Sequence, residues 1–254
     1  MMGKYVFVGE QEEASVKFSI VIPAHNEEKY IGRCLESIAE AAVPYLGQVE
    51  VIVVLNRCQD GTERIARDYN CVIVRNDMKN LSQIRNAGAN KARGNILVTI
   101  DADSRVTTNM LSEIDRHLQM GSYIGGGVSG KFERVSLGII VSTIMLIIPM
   151  LFIYGAISVG IFWCYKKDFD AIGGFNDQML MSEDADFALR LKKWGIQNGK
   201  KYGTIKKAQM ITSCRKFDQG GDWILVRRPQ LIMAYLKGTD RKYADEAYYE
   251  DQIR

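Results

Sequence analysis

The sequence predicts an α/β fold built around a mostly parallel sheet. Short apolar runs alternate with helical segments in the first part of the chain, and the runs are Phe18–Ile22, Val49–Leu55, Val72–Val74 and Asn95–Ile100. Strands separated by helices of about ten residues are typical of βαβ units, whose consecutive strands pair in parallel. With 47% apolar residues, a chain of 254 residues can bury a full core, so a single domain is predicted.

The composition argues against several classes of protein. The 33 basic and 30 acidic residues nearly balance, and no basic tract has interleaved aromatics, so no nucleic-acid partner is expected. The five cysteines form no C-x-x-C pair, which favours reduced thiols in a cytoplasmic protein. Two histidines are too few for a His-rich zinc site. Residues 1–17 lack the apolar stretch of a secretory signal.

Two carboxylates follow the fourth apolar run. Asp101 and Asp103 are two positions apart, a spacing that directs both side chains to one side of a strand. Ligands of parallel α/β sheets lie outside the carboxyl ends of the strands, and carboxylate oxygens there can hold Mg²⁺ or Mn²⁺ against a diphosphate. The alternative is a solvated loop whose acids cap the helix near Thr108. The spacing alone leaves both interpretations open.

The C-terminal third has less regular patterns. Ser182 is a favourable N-cap for a helix with acids in its first turn and Gly195 at its end. A strand near Met210–Thr212 and an amphipathic run over Trp223–Leu236 are expected next. The stretch Lys237–Arg254 is polar and predicts a surface tail.

The segment from Leu137 to Trp163 contains no charged residue and is long enough to span a membrane. Pro149 interrupts it, and a single span would place Asp101–Asp103 and Glu183–Asp184 on opposite sides of the bilayer. We therefore predict a helix over 136–154 and a strand over 156–164. These elements are either internal or in peripheral contact with a membrane surface.

Five ordered motifs resemble family 2 glycosyltransferases of the GT-A fold. They are Ile22–Glu27, Asp60–Thr62, Arg85–Gly88 before Ala92–Gly94, Asp101–Asp103, and Gly173–Phe175 followed by Glu183–Asp184. Each motif is weak alone, but their order and spacing are specific. The resemblance implies a Rossmann-like sheet with helices on both faces and a smaller acceptor-side region. It divides the domain into a nucleotide-sugar half (18–130), an acceptor and catalytic half (131–236) and a tail (237–254).

The resemblance also implies an inverting reaction with a nucleotide-diphosphate sugar as donor. By position, Asp184 is the base that takes the acceptor's proton, and a helix N-terminus favours its charged form. Asp103 is the expected direct ligand of Mn²⁺ or Mg²⁺, with Asp101 beside it, and the cation offsets the charge of the leaving diphosphate. Glu183 is expected near the acceptor or the diphosphate. Helix capping is the alternative role for both Glu183 and Asp184.

The resemblance places the nucleotide pocket mainly at the first turn. The expected lining is Pro23, Ala24, His25, Asn26, Glu27, Asn56, Asp60, Arg85, Asp101, Ala102 and Asp103. The family usually has an acidic pair where this chain has Leu55–Asn56. Since the amide oxygen of Asn56 can still accept a hydrogen bond from the uracil imide, a UDP-sugar is the expected donor.

Three basic or aromatic residues receive less specific roles. Arg85 is expected to face the base or a phosphate, with an exposed helix arginine as the alternative. Arg215 is expected near the diphosphate. Trp223 is expected under the acceptor or, alternatively, as the anchor of an amphipathic helix.

Three functional hypotheses follow. The first is a metal-dependent inverting glycosyltransferase with a cell-envelope, polysaccharide or lipid-linked saccharide acceptor, in the cytoplasm or at the inner face of the plasma membrane. The second is transfer to a polyprenyl phosphate, an acceptor that is already an anion, so Asp184 would position groups instead of removing a proton. The third is a non-catalytic sugar-nucleotide-binding module, against which the complete acidic motifs argue.

Overall fold

The computed structural model describes residues 7–154 and 160–248. Its strands are β1 (Phe18–Ala24), β2 (Val49–Leu55), β3 (Val72–Arg75), β4 (Ile96–Ile100), β5 (Ser104–Val106), β6 (Tyr123–Phe132), β7 (Ile161–Tyr165) and β8 (Lys201–Thr212). Over these residues they form one sheet in the order β3-β2-β1-β4-β7-β6-β8-β5. Strands β3, β2, β1 and β4 are parallel, as predicted. Strand β7 is antiparallel to both β4 and β6, so the second half of the sheet is mixed.

Helices cover both faces of this sheet. They are α1 (Ile31–Ala42), α2 (Thr62–Asp68), α3 (Leu81–Lys91), α4 (Met110–Gln119), α5 (Leu137–Tyr154), α6 (Lys166–Ala171), α7 (Glu183–Gln197), α8 (Arg215–Gly220), α9 (Ile224–Arg227), α10 (Gln230–Lys237) and α11 (Arg241–Tyr248). Because side chains alternate along a strand, Ile20 and Ile22 pack with α1 and α4, whereas Val21 packs with α3 and α7. This is the predicted α/β architecture.

Two glycines allow the close approaches that position the site. A Cβ on Gly88 would lie 2.4 Å from Val21, so α3 can pack directly on β1 only with glycine there. That packing holds Arg85, one turn earlier, against the carboxyl edge of the sheet. A Cβ on Gly126 would lie 1.6 Å from the carbonyl oxygen of Gly203, which explains the glycine where β6 pairs with β8.

Helix α5 lies along the domain and is attached to it at both ends. Ser136, just before the helix, donates a hydrogen bond to Asp222 (2.6 Å), and Tyr154 at its end donates one to the carbonyl of Leu236 (3.4 Å). Within the described residues it is the one helix long and apolar enough to cross a membrane, a weak criterion that some core helices also meet. The predicted helix over 136–154 matches α5; of the predicted strand over 156–164, residues 161–164 lie in β7 and 156–159 are outside the described residues.

The C-terminal third differs from expectation in three places. Ser182 is left-handed (φ 55°) and its hydroxyl makes no hydrogen bond, so it does not cap α7 through its side chain. Gly195 lies inside α7, which ends at Gln197. The expected surface tail instead forms α11, where Ala244 is buried against Met181. For α11 the packing of Ala244 against Met181, which the local sequence does not show, overrides the polar composition.

Candidate active site

A cavity of about 580 Å³ lies at the carboxyl ends of β1, β2 and β4. One side is formed by the turns after these strands, and the other by α5 and the segments from α8 to α11. Most of the predicted site residues line it: Pro23, Ala24, His25, Glu27, Asn56, Arg85, Asp101, Ala102, Asp103, Glu183, Asp184 and Arg215. These residues, which are far apart in the sequence, therefore share one cavity, and the structure adds the contacts between their side chains.

Arg85 joins the two acidic motifs. Its Nη2 donates a hydrogen bond to Asp101 (2.7 Å), and its Nε lies 3.6 Å from the Glu183 carboxylate. The side chain is 2% exposed, which excludes the exposed-helix alternative. Its Nε and Nη1 have no hydrogen-bond partner although both are buried. Buried donors are normally paired, so Arg85 retains the capacity to donate to an anion that enters the cavity.

Arg215 forms a second cationic bridge at the opposite wall. Its guanidinium donates two hydrogen bonds to Glu27 (2.7 and 2.8 Å), and its Nε lies 3.4 Å from Asp103. Ser213 donates a hydrogen bond to the same Asp103 carboxylate (2.6 Å). The end of β8 thus brings a hydroxyl and a guanidinium to the carboxylates that follow β1 and β4. Ser213 was not predicted as a site residue, because nothing in its local sequence distinguishes it from other serines.

Burial raises the pKa of three carboxyl groups in the cavity. The pKa of Glu27 rises to about 7 even though Arg215 opposes the shift. The pKa of Glu183 also rises to about 7, through burial and then the neighbouring charge of Asp184. Burial raises the pKa of Asp184 to about 6, against the backbone N–H of Ala185 and the charge of Arg85. Such shifts are concentrated at functional sites.

The donor set at one end of the cavity fits a hard divalent cation. Asp101 and Asp103 are oxygen donors, and the carboxylates Glu27, Asp101, Asp103, Glu183 and Asp184 outnumber the guanidinium groups of Arg85 and Arg215 there. Across the described residues no group of three or more His, Cys, Asp or Glu side chains could by itself hold a metal. Mg²⁺ and similar ions are commonly held by one or two carboxylates together with substrate phosphates, which is the arrangement these two residues allow.

Asn56 is oriented by the loop that follows β3. Its Nδ2 donates to the carbonyls of Asn76 (2.6 Å) and Met78 (2.9 Å), so both amide hydrogens are used. Its Oδ1 accepts hydrogen bonds from both Nε and Nη2 of Arg57, each at 3.3 Å. Both distances are long, so a ligand N–H that reaches Oδ1 would have to displace one of these donors. His25 lies beside it, with Nδ1 hydrogen-bonded to the Asn56 carbonyl.

Three predicted residues do not line the cavity. Asn26, at φ 53°, accepts a hydrogen bond from the backbone of Gln59 (2.8 Å), and Asp60 accepts from the backbone of Glu28 and Thr62 (both 3.0 Å). These two side chains hold the turns after β1 and β2 together. Trp223 lies beside Gly138 at the start of α9 and is 38% exposed, which agrees with the helix-anchor alternative.

The other end of the cavity is apolar and was not foreseen. It is lined by Leu146, Ile147, Met150, Leu225, Leu231 and Tyr235. Leu146 and Met150 are four positions apart and share a face of α5. Since nearly every residue of this helix is apolar, the sequence contains no contrast that identifies the cavity-facing side.

The fold is that of GT-A glycosyltransferases, and comparison with known proteins agrees. The family described as glycosyl transferase family 2 matches residues 19–144. The chain belongs to this family, so the predicted family, fold and class of enzyme are confirmed.

Among curated proteins, the chain is 32% identical to glycosyltransferase AglE of Haloferax volcanii over 91 residues. The matched stretch covers 34% of this chain and 30% of that protein, so it spans less than a third of the relative.

Solved structures with the same fold match most of the chain. TarS of S. aureus in complex with UDP-GlcNAc has a TM-score of 0.61 at 18% identity, covering 91% of this chain and 69% of that one. Glucosyl-3-phosphoglycerate synthase of Mycobacterium tuberculosis, in complex with Mn²⁺, UDP and phosphoglyceric acid, has a TM-score of 0.59 at 16% identity, with coverages of 89% and 80%. At these identities the match concerns the fold.

Proposed function

We propose that this protein is a metal-dependent inverting glycosyltransferase. It moves a sugar from a nucleotide-diphosphate donor, with UDP favoured, to a cell-envelope, polysaccharide or lipid-linked saccharide acceptor, in the cytoplasm or at the inner membrane face. The observation that carries the proposal is the convergence of Asp101, Asp103 and Asp184 in one cavity, with Arg85 between the acidic motifs. The UDP and Mn²⁺ complexes of the structural neighbours support it.

The donor's diphosphate occupies the end of the cavity between Arg85 and Arg215. Asp103 and Asp101 hold Mn²⁺ or Mg²⁺, which when bound supplies positive charge against the leaving diphosphate. The unpartnered N–H groups of Arg85 donate to phosphate oxygens without first breaking a hydrogen bond. The nucleotide base packs against residues 23–27 and Asn56. There the Oδ1 of Asn56 accepts a hydrogen bond from the uracil imide in place of one of the two long hydrogen bonds from Arg57.

Asp184 acts as the general base for the acceptor hydroxyl. It is half-buried at the start of α7, so the acceptor can reach it from the cavity. Its pKa of about 6 leaves it ionised at neutral pH, and a raised pKa makes it a stronger proton acceptor than an ordinary aspartate. Glu183 is directed to Arg85 and positions it.

The rate of transfer is expected to fall on the acid side of about pH 6. Burial raises the pKa of Asp184 to about 6, so lowering the pH through this value protonates the base and removes it from catalysis. A pH profile of kcat with saturating donor measures the acid limb. If the acid limb of the kcat profile instead has its midpoint near the ordinary pKa of aspartate, the assignment of Asp184 as the general base is contradicted.

Nucleotide binding is tested by thermal unfolding with UDP, GDP, CDP and dTDP, each with and without Mn²⁺. A nucleotide at about a hundred times its Kd stabilises the native state by about 2.7 kcal/mol. We expect the largest rise in Tm for UDP, and only with Mn²⁺. Asp103→Asn should abolish the dependence on Mn²⁺, while the matched control Asp68→Asn, at an exposed helix position, should retain it.

If none of the nucleotides raises Tm, the proposed donor class is contradicted. The non-catalytic sugar-nucleotide-binding module then becomes the favoured hypothesis. A shift that is the same with and without Mn²⁺ would keep the donor and remove the metal from the proposal.

A further inference from the structure

The outer face of α5 is an exposed apolar stripe. Ile140, Ile144, Ile148 and Leu151 are 44–48% exposed and Phe152 is 86% exposed. Their spacing of three or four positions places them on one side of the helix. Over the length of α5 no charged side chain interrupts this stripe. Contiguous apolar surfaces of this kind mark contacts with a partner or a membrane.

The inner face of the same helix forms a wall of the active-site cavity. Leu146 and Met150 line the cavity from this face, and Ile147 lines it from the border with the outer stripe. Met150 also packs with Tyr154 and with Ala185, the residue after the proposed base. One helix therefore separates the catalytic carboxylate from the outer apolar surface. A molecule bound along its inner face would have its end near Asp184.

The surroundings of the outer face favour a lipid surface over a protein partner. Trp223 lies beside Gly138 near the start of α5 and is 38% exposed. Helices α9 and α10 pack against α5 and carry the exposed side chains Val226 and Met233. Arg227 follows Val226, and Lys237 is on the same face of α10 as Met233. Apolar side chains edged by tryptophan and by cations are typical of helices that lie in the headgroup region of anionic membranes.

The attachment of α5 to the rest of the domain agrees with contact at a membrane surface and not with a span across the membrane. Its ends are hydrogen-bonded to Asp222 and to the carbonyl of Leu236, so the helix lies flat on the domain. The two acidic motifs share one cavity on one side of the helix. A membrane that contacts the outer face therefore meets the acceptor side of the enzyme.

We propose that the acceptor is a membrane amphiphile whose polar end reaches Asp184 and whose apolar chain lies along the inner face of α5, while the outer face of α5 rests in the bilayer. This inference rests on the proposed function and narrows its acceptor to one chemical class. The apolar end of the cavity, formed by Leu146, Ile147 and Met150 with Leu225 and Leu231, is the binding surface for the chain.

The membrane contact is tested by flotation with vesicles of phosphatidylcholine and phosphatidylglycerol. The combined variant Ile144→Ser, Ile148→Ser and Phe152→Ser should weaken vesicle binding by at least about tenfold, because three exposed apolar side chains no longer enter the lipid. The matched control is Ile196→Ser, which removes an equally apolar side chain, 66% exposed, at the far end of α7. It should bind vesicles like the unchanged protein.

The acceptor class is tested with alkyl glucosides from ethyl to hexyl, bound in the presence of UDP and Mn²⁺. If the chain lies in the apolar end of the cavity, each added methylene should lower Kd by up to about fourfold, the ratio for burial of one methylene group. Ile147→Asn should reduce this increment while leaving the UDP-induced rise in Tm unchanged. The series in the unchanged protein remains decisive if this variant does not fold.

The outcomes separate the two levels of the proposal. Vesicle binding lost in the triple variant, together with a chain-length series, supports the amphiphile. If the unchanged protein ignores vesicles and the triple variant converts a dimer into a monomer, the face is an interface between copies and the inference is wrong. A Kd independent of chain length also overturns it. In both of these cases a UDP-induced rise in Tm would leave the glycosyltransferase assignment standing, whereas its absence would count against that assignment instead.

Discussion

Asp184→Asn is expected to lower kcat for transfer to a hydroxyl acceptor by about 10²- to 10⁴-fold, the usual contribution of a general base. Asparagine keeps the size of the side chain but cannot take the acceptor's proton. Because Asp184 is not a proposed metal ligand, the UDP- and Mn²⁺-dependent rise in Tm should be retained. Steady-state kinetics and thermal unfolding of the same preparation measure both effects.

The control for this variant lies on the same turn of α7. Asp186 is paired with Arg190 (2.7 Å) and does not line the cavity. Asp186→Asn should therefore change kcat little. If Asp184→Asn keeps substantial activity, the acceptor is already an anion, as in a polyprenyl phosphate, and Asp184 positions groups without removing a proton.

The same substitution should make the folded protein more stable at neutral and alkaline pH. A carboxyl group with a raised native pKa favours folding at low pH and loses that contribution as the pH rises through the native pKa, here about 6. Above that pH, Asn avoids the cost of a buried charge, with a gain on the order of 1 kcal/mol. Chemical denaturation at about pH 8 and about pH 5 measures the difference, which should be smaller at the lower pH. A base kept in place at the expense of stability is what a functional role predicts.

The sequence predicted those elements of the fold in which apolar runs are clearly separated by polar turns. The apolar runs at β1 and β2 stand between polar turns, and the helical spacing around α1 is regular, so the parallel half of the sheet could be predicted. Asp101, Asp103 and Asp184 were recognised because short motifs in a fixed order carried them. The resemblance then placed them together before any contact was known.

The parts of the fold and of the site that were not predicted depend on contacts between segments that are distant in the sequence. Arg85 was expected to face a ligand or, alternatively, the solvent. Nothing in the sequence indicated that it also bridges Asp101 and Glu183, which are 16 and 98 positions away along the chain. Helix α11 looked like a polar tail, but Ala244 is buried and Glu246 lines the cavity beside Arg228. A single buried residue in a charged stretch gives no periodic signal.

Arg85→Met is expected to destabilise the protein by about 3–5 kcal/mol, as is usual when one member of a buried ion pair is removed. The Arg85 side chain is 2% exposed and contacts Asp101 and Glu183, so methionine would leave these carboxylates without their cation. The charge of Arg85 also lowers the pKa of Glu183 and of Asp184, and its removal would raise both further. Urea denaturation at about pH 8 gives the loss of stability.

The pH dependence and a second substitution identify the cause of this loss. At about pH 5 the carboxyl groups with raised pKa are largely protonated, so the same variant should be less destabilised there. Glu183→Gln in the Arg85→Met background should recover part of the stability, because one unpaired charge is gone, and the double-mutant cycle gives the coupling between the two side chains. If Arg85→Met unfolds like the unchanged protein but no longer responds to UDP, Arg85 serves the ligand and not the fold. The structure predicts both effects, since one buried guanidinium holds the acidic motifs together while its Nε and Nη1 have no hydrogen-bond partner.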